Sequence, residues 1–235
     1  DKKIVTNINY KKIKFKKTNY NKIFNAEIIK KLTKKNKLGF EGVSINSKKI
    51  KKGNLFIAIK GKNYNGNVFA KEALTNKANY CVVQKNINKL DKNKLIKHPN
   101  TKIFLNKLAV LKRNHINTKV IAITGSSGKT TLKTLIGKTL NEYGKTYFSQ
   151  KSYNNHIGVP LSLCNLENDH KYGVFEIGMS NKGEIRKLSS LVKPDIAIIT
   201  NIGEAHIENF DNLNGVAKAK SEIIEKINEG GFLIL

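Results

Sequence analysis

The stretch Val120–Leu135, VIAITGSSGKTTLKTL, decides how the rest of the chain is read. A β-branched apolar run stops at a Gly-Ser-Ser-Gly turn, and a lysine, two threonines and a helical pattern follow. Gly125 and Gly128 let the backbone turn tightly, so that successive N–H groups point into one concavity. A helix starting near Lys129 adds its positive N-terminal end. Lys129 can then reach the terminal phosphates of a nucleotide, and the Thr130 hydroxyl suits Mg²⁺. The commonest phosphate-loop spacing would put its first glycine at Ile123, so this loop is a shorter form. Gly125, Ser126, Ser127, Gly128, Lys129, Thr130 and Thr131 are the expected nucleoside-triphosphate site.

Outward from this loop, strands and helices alternate. KVIAIT, KTYFS, YGVFEI, PDIAIIT and GFLIL read as strands. Lys129–Tyr143, GVPLSLCNL, GEIRKLSSLV and LNGVAKAKSEIIEKI read as the helices between them. Such alternation predicts an α/β fold: a mostly parallel sheet, of the phosphate-loop type, with helices on both faces. Ligands in these sheets bind beyond the carboxyl ends of the strands. Before it, a helix at Lys22–Leu32, the strand-turn-strand pattern of EGVSINSKKIKKGNLFIAIKG, a helix at Val68–Asn76 and the buried strand NYCVVQ make a smaller α/β unit. The expected division is 1–105, with a basic arm over 1–21, a connecting helix over 106–119, and 120–235.

The formal net charge of +27 is extreme, yet of the 44 basic residues only Arg113 and Arg186 are arginine. Nucleic-acid binders concentrate charge on one face and favour arginine's forked contacts. Lysines spread along the whole chain read instead as a solvated, composition-driven surface. No nucleic-acid partner is expected. Cys81 and Cys164 lie in separate apolar segments without metal-ligand spacing, which fits a reducing cytoplasm. No run is long enough for a membrane span, and the lysine-rich start lacks a signal-peptide core. Asp1 and the final GGFLIL read as trimmed ends.

Four further positions follow strands. Glu176 ends YGVFEIG, where a carboxylate can either hold Mg²⁺ or cap the next turn. His206, in TNIGEAHIENF, follows PDIAIIT; by residue type alone it reads as structural, because Mg²⁺ seldom takes imidazole. Lys220 in AKAKSE reads as helix surface, and the pair Asn154-Asn155 as turn residues.

Taken together and in this order, TGSSGKTT, YNNHIGVPLSL, FEIG, KGEIRKLSSLVKPDIAIITNIGEAHIENF and GVAKAKSEI resemble the Mur ligases of peptidoglycan synthesis. The resemblance runs from about residue 40 to the end, and the asparagine-pair and KGEI-to-AHIE segments carry it beyond the superfamily's shared loop. It is nearest to the branch that joins D-Ala-D-Ala to UDP-N-acetylmuramoyl-tripeptide. It implies ATP and Mg²⁺ as cofactors, those two compounds as partners, a monomer in the cytoplasm, and an acyl-phosphate intermediate. Lys129, Glu176, His206 and Lys220 would be catalytic. Thr130, Glu176, His206 and a carbamylated Lys220 would be the metal positions. Ser44, Ser47, Lys48, Asn154 and Asn155 would contact the nucleotide-sugar substrate.

The resemblance also implies a third, C-terminal domain, without which residues 1–235 are expected to bind nucleotide weakly and not to complete ligation. Three departures stand out. In SINSK (Ser44–Lys48), Asn46 replaces an acid and Lys48 an arginine whose fork a lysine cannot reproduce. Asn67 stands where a histidine is frequent, and His156 where an acid is. The alternatives are a Mur ligase that adds diaminopimelate or lysine, a folylpolyglutamate synthase, and a basic ATP-dependent nucleic-acid-binding protein.

Overall fold

In a strand buried on both faces, successive side chains feed two different cores. The strand at the centre of this protein, β5 (Lys119–Thr124), shows it. Ile121 and Ile123 join Val174 and Ile198 under Leu132, Ile136 and Leu140 of helix α4 (Lys129–Tyr143). Val120 and Ala122 enter a larger core on the opposite face. The computed structural model describes residues 17–33, 38–61, 64–149, 151–205 and 207–235. Among them are two sheets, both wholly parallel.

The smaller sheet has the order β1 (Val43–Ser44), β2 (Leu55–Ile57), β3 (Tyr80–Val83), β4 (Leu95–Lys97). Phe56, Cys81, Val83 and Leu95 pack one face against Ala70 and Ala73 of α2 (Ala70–Thr75). Leu55, Ile57, Val82 and Ile96 supply the other face. Strands β1 and β2 pair in parallel, with Val43 opposite Leu55, so their connection crosses over instead of folding back. Gly53 turns that connection at φ +87°.

The larger sheet has the order β6 (Thr146–Phe148), β7 (Tyr172–Glu176), β5, β8 (Ile196–Ile199), β9 (Phe232–Ile234). Chain order reverses on either side of β5, which opens a crevice beyond the carboxyl ends of β5, β7 and β8. Helices α5 (Gly158–Cys164), α6 (Glu184–Val192) and α7 (Leu213–Ser221) accompany α4. Both sheets belong to the expected α/β class.

One helix ties the sheets together. α3 (Thr101–Asn114) starts several residues ahead of its sequence-read position, because the Asn100 side chain caps it by accepting from the Lys102 and Ile103 amides. Its Phe104, Leu105, Leu108 and Ala109 lie in the same core as Val120, Phe175 and Ala197 of the larger sheet and Leu55, Ile57 and Val82 of the smaller one. Helix α1 (Lys17–Thr33) joins with Ile28 and Ile29, and begins at Lys17 rather than Lys22. The remainder of the basic arm, residues 1–16, lies outside the described residues.

The pattern LNGVAKAKSEIIEKI does not stay one helix. α7 stops at Ser221, and Glu222 turns back so that its buried carboxylate accepts from the Gly183 and Arg186 amides at the start of α6. Capping the neighbouring helix outweighs continuing its own. No helix among the described residues is long and apolar enough to cross a membrane.

Candidate active site

The loop after β5 occupies the crevice. Gly125 sits at φ +148°, and a Cβ there would lie 1.9 Å from the Thr200 hydroxyl. Gly128, at φ +76°, is the N-cap of α4. Lys129 curls over the loop, its ammonium donating to the carbonyls of Gly125 (2.7 Å) and Ser126 (3.2 Å). A second segment braces the first. The Asn201 Oδ1, just past β8, accepts from the Ser126 and Ser127 amides at 3.0 and 2.9 Å. Thr200 donates to the Ser127 carbonyl, and the Ser126 hydroxyl bonds both to the carbonyl and to the amide of Gly203. Thr131 is exposed on the first turn of α4.

Glu176 ends β7 only 2% exposed. Thr130 donates its hydroxyl to Oε2 at 2.7 Å, and Asn154 donates to Oε1 at 2.8 Å. The Lys133 ammonium, fully buried one turn beyond Lys129, lies 3.6 Å from Oε2. It also donates to the Lys151 carbonyl (2.9 Å) and the Ser149 hydroxyl (3.3 Å). Burial lowers the Lys133 pKa, and Glu176 works against that. A hydroxyl and a carboxylate, already oxygen to oxygen at the helix start, are the hard donors that Mg²⁺ prefers. This pair fits the ion.

Gly125, Lys129, Asn154, Asn155 and Lys220 line one cleft of about 590 Å³. Burial, helped by the nearby Lys129 charge, lowers the Lys220 pKa to about 8. Asn155 is also structural, since its Oδ1 caps α5 through the Ile157 and Gly158 amides. His156 lines the same cleft. His206 lies outside the described residues.

Of the residues expected to hold the nucleotide-sugar, only Ser44 lines a second cleft, of about 610 Å³, between the two sheets. Ser47 is buried and donates to Glu72 at 2.6 Å. Lys48 is exposed, and its amide donates to the Asn46 side chain, which caps the 3₁₀ turn Ser47–Lys49. Asn67 accepts from the Gln84 amide and so fixes the end of β3. Nearby, Glu167, Asp169 and His170 form a cluster spaced for a cation. The Lys145 ammonium already bonds to both of its carboxylates.

Three contributors were not singled out in the sequence: Lys133, Asn201 and Thr200. A lysine inside a helix of a lysine-rich chain carries no signal of burial. Asn201 follows the strand PDIAIIT immediately, and the rule that ligands gather past strand ends was the one signal that marked it.

Residues 39–113 match "Mur ligase family, catalytic domain" and residues 123–235 match "Mur ligase middle domain". The chain belongs to the Mur ligase family. It is 38% identical over 200 residues to the UDP-N-acetylmuramoyl-tripeptide–D-alanyl-D-alanine ligase of Rickettsia prowazekii, covering 85% of this chain and 44% of that protein. The ligase of the same name from Escherichia coli is 35% identical over 195 residues, covering 83% and 43%.

A crystal structure of MurF from Acinetobacter baumannii superposes with a TM-score of 0.77 at 30% identity, over 88% of this chain and 47% of that one. MurF ligase from Thermotoga maritima, solved in complex with ADP, gives 0.69 at 30% identity, over 82% and 45%. This Mur ligase chain therefore spans less than half the length of these relatives.

Proposed function

We propose that this chain supplies the ATP and nucleotide-sugar sites of a cytoplasmic ligase that adds D-Ala-D-Ala to UDP-N-acetylmuramoyl-tripeptide. The observation that carries the reading is the Lys129–Thr130–Glu176 arrangement at the strand ends, together with relatives named for that reaction. The γ-phosphoryl group of ATP would pass to the terminal carboxylate of the peptide, with ADP leaving. The amine of D-Ala-D-Ala would then form the amide bond and release phosphate.

The chemistry asks the protein for alignment and charge neutralisation, not for covalent work. The Lys129 ammonium, now on loop carbonyls, swings to the β- and γ-phosphate oxygens, which are stronger acceptors. The α4 N-terminus adds oriented N–H groups. Thr130 and Glu176 would hold Mg²⁺, which when bound screens the phosphate charge. Asn154 and Lys133 keep the Glu176 carboxylate turned toward Thr130. Lys220, beside Lys129, would repel a metal as an ammonium. As a carbamate, formed from its free amine and CO₂ with loss of a proton, it would offer oxygen instead. His206 would serve a second metal position. The cleft between the sheets would take the nucleotide end of the substrate.

Calorimetric titration tests the assignment. The chain is expected to bind UDP-N-acetylmuramoyl-tripeptide more tightly than the corresponding dipeptide, and to bind Mg–ADP independently. Preference for the dipeptide would point to the enzyme that adds the third residue, and preference for a folate to a folylpolyglutamate synthase. Steeply salt-dependent RNA binding that displaces ADP would favour a nucleic-acid role.

A further inference from the structure

Two lysines line the cleft between the sheets, one from each unit. Lys49 ends the 3₁₀ turn of the smaller unit, and Lys151 follows β6 of the larger one. Both line the cleft, with Lys51 beside them. Lys151 is near enough that its side chain and then its charge lower the pKa of Lys49. An ammonium has three donors and no acceptor, so two of them facing each other leave donors and charge unanswered. Among the described residues neither forms an ion pair. Of the acids in the cleft, Glu167 is held by Lys145, and Glu41 pairs with none of the three lysines.

The position of Lys151 is built from below. Its carbonyl accepts from the buried Lys133 ammonium at 2.9 Å and from the Ser149 hydroxyl at 2.7 Å. The cleft floor is equally fixed. Asn165 of the larger unit accepts from the Val43 amide at 2.9 Å and donates to the Val43 carbonyl at 3.0 Å. Tyr147, Phe148 and Tyr153 bring aromatic rings to one wall. Three cations beside aromatic rings suit an anion that carries more than one charge and an attached planar base.

We propose that Lys49 and Lys151 are the two jaws of a clamp for the diphosphate of a nucleoside-diphosphate substrate, one jaw on each unit, with Lys51 in support. The clamp rests on the reading above that this cleft takes the nucleotide end of the substrate. It moves the substrate contact expected at Lys48 to the neighbouring Lys49, and adds a partner from the other sheet. Because the jaws belong to different units, substrate binding removes a repulsion between them.

Calorimetry with UDP and uridine, at saturating Mg–ADP and at two salt concentrations, tests it. UDP is expected to bind at least tenfold more tightly than uridine. Lys49→Ala and Lys151→Ala should each weaken UDP about tenfold, the loss of one charge-assisted contact, and flatten its salt dependence. Uridine and Mg–ADP affinities should stay within about twofold of wild type, since neither contact is lost for them. Both side chains are exposed, so the variants keep the fold. Unchanged UDP binding in both variants would overturn the clamp while leaving the nucleotide-sugar reading standing. Equal losses for UDP and Mg–ADP would reduce the lysines to general surface charge and overturn it too. If wild type binds Mg–ADP and not UDP, the reading of the cleft fails and takes the clamp with it.

Discussion

Replacing Lys133 by methionine tests how the buried Glu176 carboxylate is balanced. The substitution preserves most of the side-chain volume but strips the counter-charge from a carboxylate that is 2% exposed. At the observed 3.6 Å separation the gross attraction is about 4–5 kcal/mol at an effective dielectric of 20. Breaking one side of a buried pair typically costs about 3–5 kcal/mol. Glu176 keeps its bonds from Thr130 and Asn154, so a loss near the lower end, about 3 kcal/mol, is expected.

With a urea m-value of about 2–3 kcal/mol/M, the midpoint followed by far-UV circular dichroism should fall by about 1–1.5 M. The second variant decides the cause. In Lys133→Met/Glu176→Gln neither member of the pair leaves a charge buried, and at least about 2 kcal/mol should return as a coupling energy. A loss under about 1 kcal/mol, or simple additivity of the two substitutions, would refute the claim that Lys133 neutralises Glu176.

Two further outcomes follow from other buried groups. Burial pushes the Lys112 pKa down to about 8 from 10.5, so the unfolded chain binds more protons between those values, and stability should rise with pH across that window. The rise is about 3 kcal/mol, and Lys112→Met should flatten it in urea titrations compared side by side. In Gly125→Ala, the new Cβ meets the Thr200 hydroxyl at 1.9 Å on a backbone that disfavours side chains. Calorimetry should show Mg–ADP affinity falling at least about tenfold, with UDP binding unchanged. Retained Mg–ADP affinity would mean that the loop relaxes freely.

The larger sheet was legible because apolar runs alternate regularly with helical patterns, and because glycines in the loop after β5 permit a turn that other residues resist. β4 was not, since three residues inside KNKLIKHPN carry no periodicity. The early end of α7 was hidden as well: Glu222 is an ordinary helix residue until its partners at Gly183 and Arg186 are known. The harder failure concerns lysine. Spreading charge over a solvated surface is the right account of most of these side chains, yet Lys112, Lys133 and Lys220 are buried. In a chain this basic, composition conceals them. Lys133 shows itself only once Glu176 is placed beside it, and Lys112 once Asn25 is, both partners far away in sequence. Lys220 was marked by family resemblance alone.

Helix α3 gives this architecture one more property. Its apolar residues belong to one core that also takes side chains from both sheets, so the two interiors are continuous. Melting α3 would open the core that holds Leu55 and Ile57 of one sheet and Val120 and Ala122 of the other in the same event. The two halves should therefore lose structure in a single cooperative step, with amide protons of β2 and β5 sharing one protection free energy. The two sheets would then behave as one folding unit.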